Sequence, residues 1–327
     1  MVYQARGNVV MKSKTIQWVA SLLIGIIVMV LLFRFVEWNK VKEILSRASI
    51  GLLLIGLLIN VIGLIIKGIR WQLLLSSHQH IPIKQAINLT IVGFFGNAFL
   101  PARGGDIGRA LLLAQNKSIS KVYCLTTVTL DKAMDFFSLL LIIAPIPLLL
   151  PLPKVLQKAM VISISAGILI FIMAFIYARK TRLTKPTGQE GRFKRILLNI
   201  GLGLQIITKP QIFFKAYLLS IISWLLQVYL LILVAQAIGV HLLVGQSVMT
   251  LLGQNIAVLI PGPPSDLGTL HASITFMLYL FGYNKEIGMG IAILYHIVII
   301  TPLVVLGPIL INQFGFKMFK KDTKNND

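Results

Sequence analysis

The chain of 327 residues contains a single cysteine, Cys124. An internal disulfide is therefore excluded, and Cys124 lies in an apolar run where a thiol packs as a small hydrophobe. Acidic residues are also scarce. Ten Asp and Glu stand against 31 Lys and Arg, and charged residues of either sign make up 13% of the chain. The longest polar loop, residues 179–195, is too short to hold a catalytic domain. No residue pattern supports a Ser-His-Asp site. His78 and His80 in "SSHQH" have no third ligand nearby, so no metal site is expected. "GLGLQ" at Gly201 has no strand before it and is not a dinucleotide loop. No ATP-binding motif is present either, and no cofactor is expected.

Apolar side chains dominate what remains, at 57% of the residues. Several runs of about 20 apolar residues match the ~30 Å hydrocarbon core of a bilayer. The chain reads as an all-α, polytopic helical membrane protein. In a soluble protein a net charge of +21 would suggest nucleic acid. Here the basic residues cluster in short loops between apolar runs, which is the positive-inside pattern. Nucleic acid is not an expected partner. Arg6, Lys12 and Lys14 precede the first apolar run with no small-residue cleavage site after it, so that run reads as an uncleaved span.

The apolar runs fall at 16–36, 49–66, 85–100, 122–150, 159–178, 211–238, 246–260, 265–281 and 287–312. If each crossed the membrane from a cytoplasmic N-terminus, the loop at 179–195 would lie outside. That loop carries Arg179, Lys180, Arg182, Lys185, Arg192, Lys194 and Arg195 against Glu190 alone, a strong cytoplasmic signal. The conflict disappears if 85–116 is a re-entrant hairpin turning at Pro101–Gly105. A second hairpin, 246–281, turning at "PGPPSD", places the lysine-rich tail inside as well. Residues 196–208 are apolar but short and read as an interfacial helix. Lys67, Arg70 and Trp71 in "IKGIRWQLLL" read as an interfacial anchor.

The two tips share a pattern. "PARGGDIGRA" and "PGPPSDLGTL" both run proline, four residues, aspartate, a branched aliphatic, glycine. Each half then has the same order of span, span, hairpin, span, in opposite orientation. The expected architecture is about six spans plus two re-entrant hairpins in an inverted 3+3 repeat. The first half-repeat covers 1–158 (spans 16–36, 49–66, 122–150; hairpin 85–116). The second covers 159–327 (spans 159–178, 211–238, 287–312; hairpin 246–281). Repeats of this kind bring broken helices to a site near the bilayer midplane.

The candidate site residues are the charges inside this frame. Arg103 and Arg109 flank the first helix restart, and Gly104 and Gly105 allow close backbone approach. With a positive helix end they could hold a phosphate; equally, they could snorkel to headgroups. Asp106 and Asp266 each sit where a helix restarts, which suits an N-cap as well as a binding role. Asp131 and Asp135 are four apart and share a helix face, with Lys132 beside them. Intramembrane charges face the bundle interior and pair, and Arg103 and Arg109 are the expected partners. His271 follows the second tip and His296 lies in the last span.

Four motifs together resemble the lysylphosphatidylglycerol synthase transmembrane-region family: "IKGIRWQLLL", "NAFLPARGGDIGRALLL", "TLDKAMDFF" and "LIPGPPSDLGTLHASITFMLYLFGYN". The likeness runs from about Trp18 to Gln313. It matches Pro101, Arg103, Gly104, Asp106 and Arg109 to the family's first hairpin, with Asp106 where many members carry Glu. It matches Asp131, Lys132 and Asp135 to an acid–basic–acid element whose middle residue is usually Arg. At the second hairpin the chain departs, with Pro263, Pro264 and Ser265 at a tip that is Gly-rich in many members, and His271 in the position of a Glu.

The resemblance implies a flippase-like domain that translocates or handles lipid, and no aminoacyl-transfer domain is expected in this chain. The functional expectation is binding of the anionic headgroup of a membrane lipid, phospholipid or polyprenyl-phosphate-linked. The setting is the plasma membrane, with both termini cytoplasmic. Enzymatic activity is not the favoured reading. The alternatives are a membrane-embedded lipid glycosyl- or aminoacyl-transferase component and a scaffold for a separate lipid-modifying synthase.

Overall fold

A computed structural model describes residues 34–76, 78–100, 104–117, 119–145, 154–181, 190–257 and 264–322. The span expected at 16–36 falls almost wholly outside the described residues, as do Arg103, most of the Pro101–Gly105 turn and the prolines of the second tip before Pro264.

Every regular element among the described residues is helical. In chain order they are α1 (Trp38–Ser46), α2 (Ile50–Leu75), α3 (Ile83–Phe99), α4 (Gly104–Lys117), α5 (Lys121–Ile143), α6 (Lys154–Thr181), α7 (Arg192–Leu204), α8 (Pro210–Ala237), α9 (Val244–Ala257), α10 (Thr269–Leu280) and α11 (Lys285–Asp322). Short 3₁₀ turns follow α7 at Gln205–Thr208 and precede α10 at Pro264–Asp266. Helices suit this composition because in lipid each backbone N–H and C=O must be satisfied within its own segment. The chain is an all-α, polytopic helical membrane protein.

Four helical segments are long and apolar enough to span a bilayer: Ile50–Leu75, Ile164–Thr181, Pro210–Gln236 and Lys285–Gln313. Only 17% of the most apolar part of α2 is buried. Its exposed residues Ile50, Leu54, Leu58, Ile62 and Ile65 recur at helical spacing, so one apolar stripe faces outward. In water that pattern would be costly, whereas in lipid it is the natural face. At 23 residues, α5 is long enough to span, but Asp131, Lys132 and Asp135 set it apart from the four apolar segments. The limbs α3, α4, α9 and α10 have 17, 14, 14 and 12 residues, short of the ~20 that a span requires.

The chain divides into two compact units. Counting described residues only, the first lies within Met1–Leu57, Asn97–Gly104 and Leu230–Thr301, and the second within Leu58–Gly96, Gly105–Tyr229 and Pro302–Asp327.

In the second unit the core forms around Trp71, Leu74, Leu75, Leu89, Leu113, Tyr123 and Ile206. Small residues let its helices approach closely, as is usual between membrane helices. A Cβ on Gly68 would stand 2.6 Å from the Ile87 Cα, and one on Gly203 would stand 2.7 Å from the Thr126 Cβ. The Tyr123 hydroxyl donates to the Leu75 carbonyl at 2.7 Å, tying α5 to the end of α2.

In the first unit, Val36, Val41 and Met289 form a small core with Trp38, Leu45, Ala272 and Ile293 packed against it. The Ser49 amide donates to the Ala237 carbonyl at 2.8 Å, which anchors the start of α2 to the end of α8.

Candidate functional site

The second unit contains a buried network of charges contributed by α2, α4 and α5. Arg70 is 0% exposed, and the structure corrects its reading as an interfacial anchor. The helix predicted to end near residue 66 continues to Leu75, which carries Arg70 and Trp71 inward. Arg70 donates from Nε to Asp131 Oδ1 at 2.7 Å. It then grips Asp135 with both terminal nitrogens, Nη1 to Oδ1 at 2.5 Å and Nη2 to Oδ2 at 3.1 Å. Nη1 also donates to the Ser220 hydroxyl on α8. This is the planar, two-pronged contact that a guanidinium makes and an ammonium cannot.

Asp131 uses its second oxygen for the other arginine. Arg109 Nη2 donates to Asp131 Oδ2 at 2.8 Å and lies 3.2 Å from Asp106 Oδ1. Its Nη1 donates to the Thr90 hydroxyl on α3 at 3.3 Å, and its guanidinium carbon lies 4.6 Å from the Trp71 ring centre. Space for this arginine comes from Gly93, where a Cβ would stand 2.8 Å from Arg109 Cδ. The i, i+4 spacing of Asp131 and Asp135 puts both carboxylates on one face of α5. The i, i+3 spacing of Asp106 and Arg109 does the same on α4.

Two lysines border the network. Lys132 Nζ lies 3.1 Å from Asp106 Oδ2 and 4.9 Å from the Phe94 ring centre. Lys67 Nζ lies 5.2 Å from the same ring. Among the described residues no carboxylate comes within ion-pair distance of Lys67. Two tryptophans brace the frame: Trp71 Nε1 donates to the Thr127 hydroxyl at 3.2 Å, and Trp224 Nε1 donates to the Asp135 carbonyl at 2.9 Å. Among the described residues the network thus gathers four cations, Lys67, Arg70, Arg109 and Lys132, around three carboxylates, Asp106, Asp131 and Asp135. Among the described residues the buried Arg109 Nε finds no hydrogen-bond partner.

Of the sequence-derived candidates, Asp106, Arg109, Asp131, Lys132 and Asp135 come together here. Gly104 and Gly105 open α4. Arg103, expected as a partner of the aspartates, lies outside the described residues; Arg109 meets Asp131 as expected, and Arg70 meets both Asp131 and Asp135. Sequence reasoning missed Arg70, Lys67, Thr90 and Ser220. No local signal singled out Arg70, because Arg103 and Arg109 already offered one cation for each of Asp131 and Asp135. Asp106 stands inside the first turn of α4 rather than before it, with its carboxylate on Arg109 and Lys132, so the N-cap reading gives way to ion pairing.

The other candidates, Asp266, His271 and His296, belong to the first unit. Asp266 lies in the 3₁₀ turn, and Gly268 is the residue that caps α10. His296 Nδ1 and His271 Nε2 are 3.4 Å apart, and His296 Nε2 lies 3.0 Å from the Ser265 hydroxyl. Among the described residues no group of three or more His, Cys, Asp or Glu could hold a metal ion.

Long apolar helices and a buried arginine–aspartate network define a multi-pass membrane protein whose interior charge is held by its own side chains. Residues 18–307 match the family described as the lysylphosphatidylglycerol synthase TM region, and the chain belongs to it. A UPF0104 membrane protein of Methanocaldococcus jannaschii is 23% identical over 221 residues, covering 66% of this chain and 92% of the relative. A second UPF0104 membrane protein, from Methanothermobacter thermautotrophicus, is 21% identical over 306 residues, covering 86% and 89% respectively.

Proposed function

We propose that this protein binds the anionic headgroup of a membrane lipid at the α2–α4–α5 network and carries it between the leaflets. The observation that supports this most directly is the charge of the network. Among the described residues four cations surround three carboxylates, and Lys67 has no carboxylate of its own. An isolated charge away from water is costly, and a bound anion would offset it. The saturated pairs around Arg70 act as the frame, while Lys67, Lys132 and the Nε edge of Arg109 provide the side to which a phosphate would come.

Membership in a family described by a lipid synthase's membrane region supports lipid as the substrate class. Phospholipids, aminoacyl-phospholipids and polyprenyl-phosphate-linked sugars all offer the required phosphate. In this reading the short limbs α3–α4 and α9–α10 form two re-entrant hairpins, and the halves 1–158 and 159–327 form an inverted repeat. Alternating access would follow from movement of one half against the other. A plasma-membrane location with both termini in the cytoplasm completes the proposal.

The test is native mass spectrometry of lipids retained by the purified protein, beside Lys67→Met and Arg109→Ala. The expected result is selective retention of one anionic lipid that Lys67→Met loses while its thermal stability is unchanged. Equal, unselective retention by all three proteins would refute the proposal.

A further inference from the structure

The first unit contains a chain of hydrogen bonds that the lipid reading leaves unused. It starts at the backbone amide of Gly268, which donates to His271 Nδ1 at 3.4 Å. It continues through the pair His271 Nε2 and His296 Nδ1 and ends with His296 Nε2 at Ser265 Oγ. The imidazole centres are 5.0 Å apart.

A backbone amide can only donate, and this sets the direction of the whole chain. His271 Nδ1 is an acceptor, so the proton of a neutral His271 sits on Nε2. That Nε2–H donates to His296 Nδ1, which leaves the His296 proton on Nε2, donating to Ser265. These tautomers are assigned from the network. In this order Ser265 accepts from its histidine. A nucleophilic serine must instead donate to the histidine, so the constellation is not a hydrolytic triad.

The segment joined by this chain is strained. Ser265 has φ 63° and Asp266 φ 53°, both in the left-handed region, and Gly268 follows at φ 86°. For non-glycine residues such backbone persists only when its surroundings hold it there. The hydrogen bonds from His296 to Ser265 and from Gly268 to His271 hold the two ends of this turn.

We propose that His271 and His296 form a binding site for a single proton, and that its occupancy releases the turn Ser265–Gly268 at the start of α10. Both ring nitrogens still able to take a proton, His271 Nδ1 and His296 Nδ1, already accept a hydrogen bond. A proton on His271 Nδ1 sets one N–H against the Gly268 N–H. A proton on His296 Nδ1 sets it against the His271 N–H, unless His271 moves its own proton to Nδ1, which again confronts Gly268. Protonation at His271 Nδ1, directly or by the tautomer shift, breaks the Gly268 bond that fixes the turn, and protonation at His296 Nδ1 without that shift breaks the contact that keeps His271 in place. A second proton is opposed by the first, because two charged rings at this separation repel.

The surroundings leave the pair to govern itself. α9 has no titratable side chain. On α1, Glu37 pairs with Lys40 and Glu43 with Arg47. On α11, Lys285 lies over the Phe35 ring, Glu286 accepts from the Glu37 amide, and Tyr295 is buried. Asp266 is in the turn itself. Among the described residues neither Glu37, Glu43 nor Glu286 forms an ion pair with either imidazole.

This inference does not depend on the lipid reading, and its test does not measure lipid. Hydrogen–deuterium exchange of the full chain in nanodiscs, corrected for intrinsic rates, would be followed from about pH 8 to about pH 5, the range in which histidine changes charge. Protection over residues 264–272 should fall about tenfold per pH unit once the pair begins to titrate, as expected for an opening linked to one proton. Residues 244–257 of α9 serve as the internal reference and should keep their protection. In His271→Gln and His296→Gln the fall should disappear. Constant protection in the wild type, or an unchanged fall in either variant, would overturn the proposal. The wild-type measurement decides the matter even if a variant does not fold.

Discussion

After the first break, α4 starts at Gly104 and within one turn commits Asp106 and Arg109 to a charged network. After the second, α10 starts behind two left-handed residues and commits two imidazoles and a serine to a chain with no formal charge among them. The tips share the pattern proline, four residues, aspartate, aliphatic, glycine, yet the two aspartates have different roles. Asp106 is one of three carboxylates bridging arginines and a lysine. Asp266 is a strained turn residue whose backbone carbonyl accepts from the Thr269 hydroxyl at 3.1 Å. A guanidinium stays protonated in the physiological pH range, so Arg70 and Arg109 keep their charge and hold the frame of the first region. An imidazole, unlike a guanidinium, can take up a proton as the pH falls, so the second can respond to acid.

The most severe way to break this comparison is Arg70→Ala. It leaves Asp131 and Asp135 without their shared partner, and losing one member of a buried pair costs about 3–5 kcal/mol. Tryptophan-monitored unfolding in detergent should show a large fall in melting temperature. Adding Asp135→Asn to that variant should recover part of the loss, and no recovery would mean that the pair does not act as one unit.

A smaller effect is expected from Gly93→Val. Its side chain must displace the Arg109 stem, and overpacking of this kind costs about 1–3 kcal/mol. The same unfolding assay should detect it, and an unchanged midpoint would show that Arg109 has room to move. Trp224→Phe keeps the ring but loses its hydrogen bond to the Asp135 carbonyl. The expected loss is about 1 kcal/mol, read from the denaturation midpoint.

Ser265→Gly sharpens the contrast from the other side. It relieves one left-handed residue, a gain of about 1 kcal/mol offset by the lost bond to His296. Stability should therefore hardly change, whereas Ser265→Val should lower it. Equal destabilisation by both would argue against backbone strain at this turn.

Much of the fold was legible in the residue order. The apolar runs at 211–238 and 287–312 became α8 and α11 to within a few residues at their N-terminal ends, and the short limbs at 85–100 and 246–260 became α3 and α9. The pairing of Asp131 and Asp135 with arginine was legible as a requirement, since buried carboxylates demand cations. Arg109 was legible as one partner and meets Asp131, whereas Arg70, which meets both aspartates, was not. Arg70 looked like a helix-end anchor because its apolar run pauses at Lys67, and only the continuation of α2 to Leu75 shows that it lies inside.

The sequence alone determined the solvent, the helical class and the need for internal charge pairing. Run length and hydropathy are local properties, and the bilayer punishes unsatisfied backbone and unpaired charge wherever they fall. The tertiary structure alone decided the partners. Arg70 reaches Asp131 across 61 positions of chain and Ser220 across 150, and His296 reaches Ser265 across 31. Contacts at such separations depend on how helices cross, and that is set by small residues such as Gly68 and Gly93 letting neighbouring side chains approach, which no local pattern reveals.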